Sequence, residues 1–218
     1  MNSRQVLVFG DGRHELGDRL DQSLTPDQLP ALPRLVHRLL KEPTGTTYTC
    51  RYSKDVPRIH GRRHRYAKKA IWAIVEASRN DFDAVVIVID RDRRVEKETI
   101  QPLREGRDSC SISGKIPCAV GCAVETFDAW MIADGNAIKH AGGVGNHKNP
   151  ESLYGKEGKG KHPKDIAANI FDGKRGLSKK YAIVAENVDL LSLEKTCPKG
   201  FKPFANDVRE KILSAISN

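Results

Sequence analysis

An unbroken apolar run, Ala84–Ile89, ends at Asp90 and restricts the chain to few architectures. A strand that lies between a core and water carries an apolar side chain at every second position. A strand that is apolar at every position is buried on both faces, as in a parallel sheet covered by helices on each side. The run therefore predicts a central strand of an α/β fold.

The rest of the N-terminal region alternates strands and helices around this run. We predict further strands at Val6–Phe9, Thr46–Tyr52 and Ile116–Val124. Apolar residues at three- and four-residue spacing predict amphipathic helices at Ala31–Lys41 and Arg63–Arg79. This order of elements indicates a doubly wound, mainly parallel sheet. We expect the first and third predicted strands to be neighbours in it.

The C-terminal part of the chain has a different character. Gly and Lys dominate residues 141–161 and apolar residues are few, which predicts a long, mobile, basic surface insertion. Helices are expected after it, at Pro163–Phe171 and Phe204–Ile216. We therefore divide the chain into an α/β core, residues 1–135, and a segment of residues 136–218. That second segment combines the basic Gly-rich insertion with C-terminal helices that pack on the core.

Positive charge is concentrated in a few places. The chain carries 37 Lys and Arg against 28 Asp and Glu, a net charge of +9. One basic cluster runs from Arg58 to Lys69 and another from Lys156 to Lys164. Such patches attract polyanions, of which phosphate backbones are the commonest, although a solvated surface would have the same composition. The candidate nucleic-acid contacts are Arg58, Arg62, Arg63, Lys68, Arg93 and Arg94.

Cysteine usage and hydropathy predict a cytoplasmic protein. The five Cys residues are scattered and form no CxxC pair, which suits a reducing compartment. No apolar run approaches the roughly 18–20 residues that cross a bilayer, so no membrane association is expected. The N-terminus passes directly into strand-like residues and lacks the apolar stretch of a signal peptide.

Acidic residues follow three of the predicted strands. In an open α/β sheet, ligands bind beyond the carboxyl ends of the strands. Oxygen ligands that converge there suit Mg²⁺ or Mn²⁺. Each acid could instead cap the helix that follows it, but three acidic sites at one edge would repel each other unless a cation offset their charge. The candidate catalytic and metal-binding residues are Asp11, Glu15, Asp90, Asp92, Glu125 and Asp128.

Four segments of the chain together resemble a known family. Val8–Glu15 resembles a Val-Glu-Gly-x-x-Glu motif with Asp in place of the first Glu, and Val88–Asp92 contains an Asp-x-Asp motif. In this order they resemble the Toprim fold of topoisomerases, bacterial primases and OLD-family nucleases. Ala123–Asp134 and Thr196–Phe204 are similar to segments of an uncharacterised bacterial Toprim-like family that is often encoded beside AAA or ABC-type ATPases.

The resemblance implies a metal-dependent nuclease. It would act on DNA or RNA as an antiphage defence effector, a toxin that works with an ATPase partner. Asp90, Asp92 and one of Asp11 or Glu15 would hold Mg²⁺ or Mn²⁺. Glu125 and Asp128 would hold a second metal or orient the first ligands.

Two alternatives stay open at this point. Asp11 is one methylene shorter than the Glu of the motif, so Glu15 could carry the acid–base role in its place. The chain could also be a non-catalytic, nucleic-acid-binding or regulatory subunit of an ATPase complex, with its acids serving structure. The sequence is compatible with an oligomer.

Overall fold

One sheet of five strands organises the computed structural model, which describes residues 4–41, 43–57, 60–92, 94–112, 114–153 and 162–216. The strands are β1 (Arg4–Gly10), β2 (Ser23–Leu24), β3 (Thr46–Tyr52), β4 (Ala84–Asp90) and β5 (Cys118–Ala123). Their order across the sheet is β2-β3-β1-β4-β5. All neighbouring pairs are parallel except β2 with β3. The predicted α/β class and mainly parallel sheet are confirmed, and the first and third predicted strands, β1 and β4, are neighbours.

Helices connect and flank these strands. They are α1 (Arg13–Leu16), α2 (Ala31–Leu39), α3 (Arg65–Arg79), α4 (Ile100–Asp108), α5 (Asp128–Met131), α6 (Gly135–His140), α7 (Pro163–Ile170), α8 (Leu177–Asn187), α9 (Leu190–Thr196), α10 (Phe201–Asp207) and α11 (Ser214–Ile216). A π-helical segment, Val208–Leu213, joins α10 to α11. None of the described helices is long and apolar enough to cross a bilayer.

Both faces of the sheet are buried, as the apolar strands predict. Alternate β1 residues Val6 and Val8 belong to a hydrophobic cluster that contains the buried side chains of α2 and α8. Leu7 and Phe9 belong to a second cluster, which contains Ala70 and other side chains of α3. Helices therefore cover each face, and successive residues of the central strand point into different cores.

The C-terminal helical segment covers the β5 side of the sheet. A carboxylate oxygen of Asp207 accepts a hydrogen bond of 2.6 Å from the backbone N–H of Val120. Arg107 of α4 donates to the same carboxylate at 2.7 Å. Phe204 packs so closely that a Cβ atom on Gly121 would lie 2.6 Å from its ring. These contacts fix α10 against β5 and α4.

The predicted surface insertion is partly anchored. Glu151 is buried and accepts backbone hydrogen bonds from Lys199 at 2.8 Å and from Gly200 at 2.7 Å. His147 donates its backbone N–H to the carbonyl of Ile132 at 2.8 Å. Residues 141–153 are mostly exposed, as predicted, but these hydrogen bonds anchor them to other parts of the same chain, so they are not the loose loop that we expected. The rest of the predicted insertion, residues 154–161, lies outside the described residues, and the division at residue 135 stays a prediction.

Candidate functional site

The connections that follow the neighbouring strands β1 and β4 run over opposite faces of the sheet. From β1 the chain crosses to β3 by way of α2 on one face, and from β4 it crosses to β5 by way of α4 on the other. Ligands of open α/β sheets bind at such a switch point, beyond the carboxyl ends of the strands. Asp11 follows β1 directly and Asp90 is the last residue of β4. Two of the predicted site residues thus lie at the position that the topology favours.

Asp11 ties three strand ends together. One of its carboxylate oxygens accepts the backbone N–H of Asp90 at 2.8 Å, and the other accepts the hydroxyl of Ser53, just after β3. Lys69 of α3 donates to the Ser53 hydroxyl oxygen at 3.0 Å. Each Asp11 oxygen accepts one hydrogen bond, and together these bonds hold the ends of β1, β3 and β4 in place.

Glu15 is buried at the end of the first loop. Its Oε1 atom accepts the backbone N–H of Gly12, whereas its Oε2 atom is buried without a hydrogen-bond partner. A Cβ atom on Gly10 would lie 3.0 Å from the Glu15 carboxyl carbon. The glycine at the end of β1 therefore makes room for the glutamate.

Asp90 and Asp128 complete the acidic part of the site. Asp90 Oδ1 accepts the backbone N–H of Phe127 at 2.9 Å. Asp128 is buried, and its Oδ1 accepts the hydroxyl of Tyr181 at 2.5 Å and lies 3.9 Å from Nδ1 of His14. The loop after β5 thereby brings a carboxylate to the ends of β1 and β4.

A cavity of about 250 Å³ opens over these acids. Cations from three separate parts of the chain surround its mouth, and all three are exposed, whereas the acids beneath them are buried or partly buried. We name Arg13, Lys164 and Lys174 the basic rim. The lining residues that matter chemically are Arg13, Glu15, Asp90, Asp128, Lys164 and Lys174.

The acids differ in their readiness to ionise. Burial raises the pKa of Glu15 well above its usual range, and the charges of Asp90 and Asp11 raise it further. Burial, followed by the charge of Asp11, likewise raises the pKa of Asp90. Burial opposes the ionisation of Asp128, but the nearby imidazole of His14 and the hydrogen bond from Tyr181 contribute to outweighing it, and the pKa is lowered. Without a cation, the Glu15–Asp90 pair therefore favours retaining a proton.

The carboxylate oxygens of this site suit Mg²⁺ or Mn²⁺ held by few protein ligands better than a metal ion enclosed by several side chains. Within the ranges that the structure describes, no three His, Cys, Asp or Glu side chains converge into a metal-binding group. Mg²⁺ commonly keeps several waters and uses one or two carboxylates together with substrate phosphate oxygens. Glu15 offers a buried, unpartnered oxygen, and Asp90 lines the same cavity. These two residues fit that mode of binding.

Comparison with known proteins adds no relative to this picture. No protein-family model, curated protein or solved structure matches the chain.

Two predicted metal ligands point elsewhere. Glu125 has a left-handed backbone, with φ 64°, and its Oε1 atom lies 3.6 Å from Nη2 of Arg91. Asp92 is exposed, has φ 47° and donates its N–H to the Glu125 carbonyl at 3.0 Å. The strand β4 ends at Asp90 and a turn follows, so the two acids of the Asp-x-Asp motif do not both continue an extended strand. Neither Asp92 nor Glu125 lines the cavity of Glu15 and Asp90.

The predicted nucleic-acid contacts are placed in part. Arg62 and Arg63 are exposed just before α3, and Arg63 donates to the Ser109 hydroxyl at 2.9 Å. Lys68 donates to the Gly61 carbonyl at 2.7 Å. Arg94 is partly buried. Arg58 and Arg93 lie outside the described residues.

The basic rim and Tyr181 are functional candidates that sequence reasoning missed. Lys164 belongs to the second basic run, and Arg13 lies inside the first motif, so both carried a signal. Lys174 and Tyr181 carried none, because only the packing of α7 and α8 against the strand ends brings them to the acids.

The raised carboxyl pKa values predict a pH-dependent stability in metal-free protein. Above about pH 4 the unfolded chain releases carboxyl protons that the folded site retains. Stability from Glu15 and Asp90 is then greatest at low pH and falls as the pH rises through their raised pKa values. Urea unfolding of the parent and of Glu15→Gln should show a free-energy difference that grows in favour of the variant as the pH rises above about 4, the usual carboxyl pKa. A free-energy difference that stays constant with pH would contradict the raised pKa values of Glu15 and Asp90. Added Mg²⁺ should reduce the difference.

Proposed function

We propose that the protein hydrolyses phosphodiester bonds of DNA or RNA in a reaction that depends on Mg²⁺ or Mn²⁺. The observation that carries the proposal is the pairing of charges in one cavity. Glu15 and Asp90 lie beneath the exposed basic rim of Arg13, Lys164 and Lys174. Carboxylates beneath cations suit a ligand that brings both a metal ion and a phosphate.

The acids and the rim would have separate tasks. Glu15 and Asp90 would hold the metal, and Asp11 would keep the ends of β1 and β4 in register by its hydrogen bond to the Asp90 N–H. A bound Mg²⁺ would supply Lewis-acid stabilisation of the phosphate and lower the pKa of a water molecule. The rim cations would bind the non-bridging oxygens of the same phosphate.

Asp128 has a supporting place in this proposal. Its lowered pKa keeps it charged, and the hydroxyl of Tyr181 fixes its orientation. It would add negative potential beneath the metal and hold the imidazole of His14 at the cavity wall. Tyr181 would thus act on the site through Asp128 and not by touching the substrate.

The Toprim assignment and the defence role belong to this proposal as well. The resemblance implies acids after the first strand of the motif, here Asp11 and Glu15 after β1. It also implies an acid at the end of a neighbouring strand, here Asp90 of β4. An ATPase partner and an antiphage function follow only from the resemblance. We retain them as proposals to be tested by co-purification of the protein with the product of a neighbouring ATPase gene.

A second candidate is binding of nucleic acid without cleavage. The absence of a three-ligand metal group among the described residues favours it. The engagement of both Asp11 oxygens in hydrogen bonds points the same way. In that case the rim would bind phosphate, and the buried acids would only fix the strand ends.

Cleavage of supercoiled plasmid and of RNA separates the two candidates. The parent should nick in Mg²⁺ or Mn²⁺ and lose this activity in EDTA. Lys164→Ala combined with Lys174→Ala should slow cleavage by at least about 100-fold, because each of the two charged contacts contributes about 1.5–3 kcal/mol.

The matched control is Lys139→Ala combined with Lys195→Ala, which removes the same charge from exposed positions outside the cavity. It should cleave like the parent. Nucleic-acid binding by a parent that never cleaves would favour the second candidate. Cleavage that persists in EDTA would contradict the metal-dependent mechanism.

A further inference from the structure

A second group of cations surrounds one tyrosine at the start of α3. The Tyr66 hydroxyl accepts a hydrogen bond of 2.8 Å from Arg94 and one of 3.3 Å from Arg65. The Arg65 guanidinium carbon lies 4.7 Å from the centre of the Tyr66 ring, and the Lys69 ammonium lies 5.6 Å from it. We name these four residues, Arg65, Tyr66, Lys69 and Arg94, the Tyr66 cluster.

The Tyr66 cluster has more positive charge than its neighbours balance. None of its three cations forms an ion pair with a carboxylate of the described chain. Burial lowers the pKa of Lys69, and the charges of Arg65 and Arg94 lower it further, although Asp11 opposes them. Like charges that are held together in this way favour an anionic ligand.

The Tyr66 cluster lies across the strand ends from the cavity. Tyr66 belongs to the core on the α3 face of the sheet, whereas the cavity residues Phe127 and Leu177 belong to the core on the other face. Lys69 reaches Asp11 through the Ser53 hydroxyl. Cationic groups therefore stand on both sides of the carboxylates.

We propose that the Tyr66 cluster binds a second phosphate group of the same nucleic-acid strand. This inference rests on the proposed function, in which the first phosphate occupies the cavity beneath the basic rim. Two phosphate positions separated by the carboxylates select a polynucleotide over a mononucleotide. Arg62 and Arg63, exposed just before α3, extend the positive surface beyond the Tyr66 cluster and so favour a continuous strand over a phosphorylated peptide.

The guanidinium groups of Arg65 and Arg94 are the ligands to be tested. Arg65→Gln combined with Arg94→Gln should weaken the binding of a fluorescein-labelled thymidine 12-mer about 10-fold, measured by anisotropy with Ca²⁺ in place of Mg²⁺. The slope of log affinity against log salt should fall by about 0.7, the contribution of one single-strand phosphate. The loss should be smaller for a dinucleotide with a single phosphate, because that ligand cannot span both positions.

Two further variants serve as controls for this experiment. Arg4→Gln combined with Arg79→Gln removes the same charge from the opposite edge of the sheet, since Arg79 lies 14 residues along α3 from Arg65, about 21 Å away. It should bind the 12-mer like the parent. Arg65→Lys combined with Arg94→Lys keeps the charge and should recover part of the affinity.

The possible results separate this inference from the proposed function. Equal losses for the 12-mer and the dinucleotide, or no loss for either, would overturn the second phosphate position while leaving plasmid cleavage untouched. A parent that binds neither ligand and cleaves nothing would overturn the proposed function and this inference together.

Discussion

Asp90→Asn is expected to abolish Mg²⁺-dependent cleavage, with a fall in rate of at least about 100-fold, the usual cost of losing a central electrostatic contact. The substitution removes the charge that would hold the metal. It keeps an oxygen in position to accept the backbone N–H of Phe127, which lies 2.9 Å from Asp90 Oδ1. Function should therefore be lost while the loop after β5 keeps its anchor.

The melting temperature of Asp90→Asn shows whether cleavage is lost in a folded protein or because the variant unfolds. Burial and the charge of Asp11 raise the pKa of Asp90, so ionised Asp90 destabilises the metal-free fold. The Asn variant should melt at the same temperature as the parent or higher at neutral pH, and Mg²⁺ should stabilise it less. Asp165→Asn, an exposed position on α7, is the matched control and should cleave normally. Parental cleavage by Asp90→Asn would remove this carboxylate from the mechanism and contradict the proposed metal site at Glu15 and Asp90.

Gly106→Ala is expected to destabilise the fold by about 3 kcal/mol, the upper part of the range for overpacking. A Cβ atom at Gly106 would lie 2.3 Å from the carbonyl oxygen of Ala67 and 2.5 Å from its Cα atom. Both are backbone atoms of α3, so no side chain can rotate away, and α3 and α4 must separate. Urea unfolding would measure the loss.

The neighbouring glycine Gly114 provides the control. A Cβ atom there would meet nothing within 4 Å, so Gly114→Ala should leave stability nearly unchanged. Because α3 carries Arg65, Tyr66 and Lys69 of the Tyr66 cluster, Gly106→Ala should also weaken nucleic-acid binding without touching the ligand. If both alanine variants were equally stable, the close approach of α3 and α4 would not be present in solution.

The central strands could be predicted from the sequence because burial on both faces leaves a local signature. The run Ala84–Ile89 contains no polar residue, and the structure places it at β4 with only its last residue, Asp90, partly exposed. The helix α8 left a weaker signature. Its buried residues Leu177, Tyr181, Val184 and Ala185 follow helical spacing, but Lys179 and Lys180 among them obscured it.

The choice among the acids could not be predicted in the same way. Asp92 and Glu125 both adopt left-handed backbone conformations, with φ 47° and 64°, where glycine is the usual residue. Each turn changes the direction of a side chain that would point to the carboxyl-end edge of the sheet if the strand continued. Asp128 reaches the site because Tyr181, 53 positions away in sequence, holds it there. Such long-range contacts leave no trace in local spacing.

The two borders of the sheet limit how copies of this chain could associate. At one border, the Val120 N–H is already bonded to the Asp207 carboxylate, and α10 lies over the strand. At the other, β3 is paired at Tyr48 and Thr49 with β2, which is only two residues long. Short or covered outer strands offer a poor template for an incoming strand. Any assembly of copies would therefore join through side-chain surfaces and not by continuing the sheet from one molecule into the next.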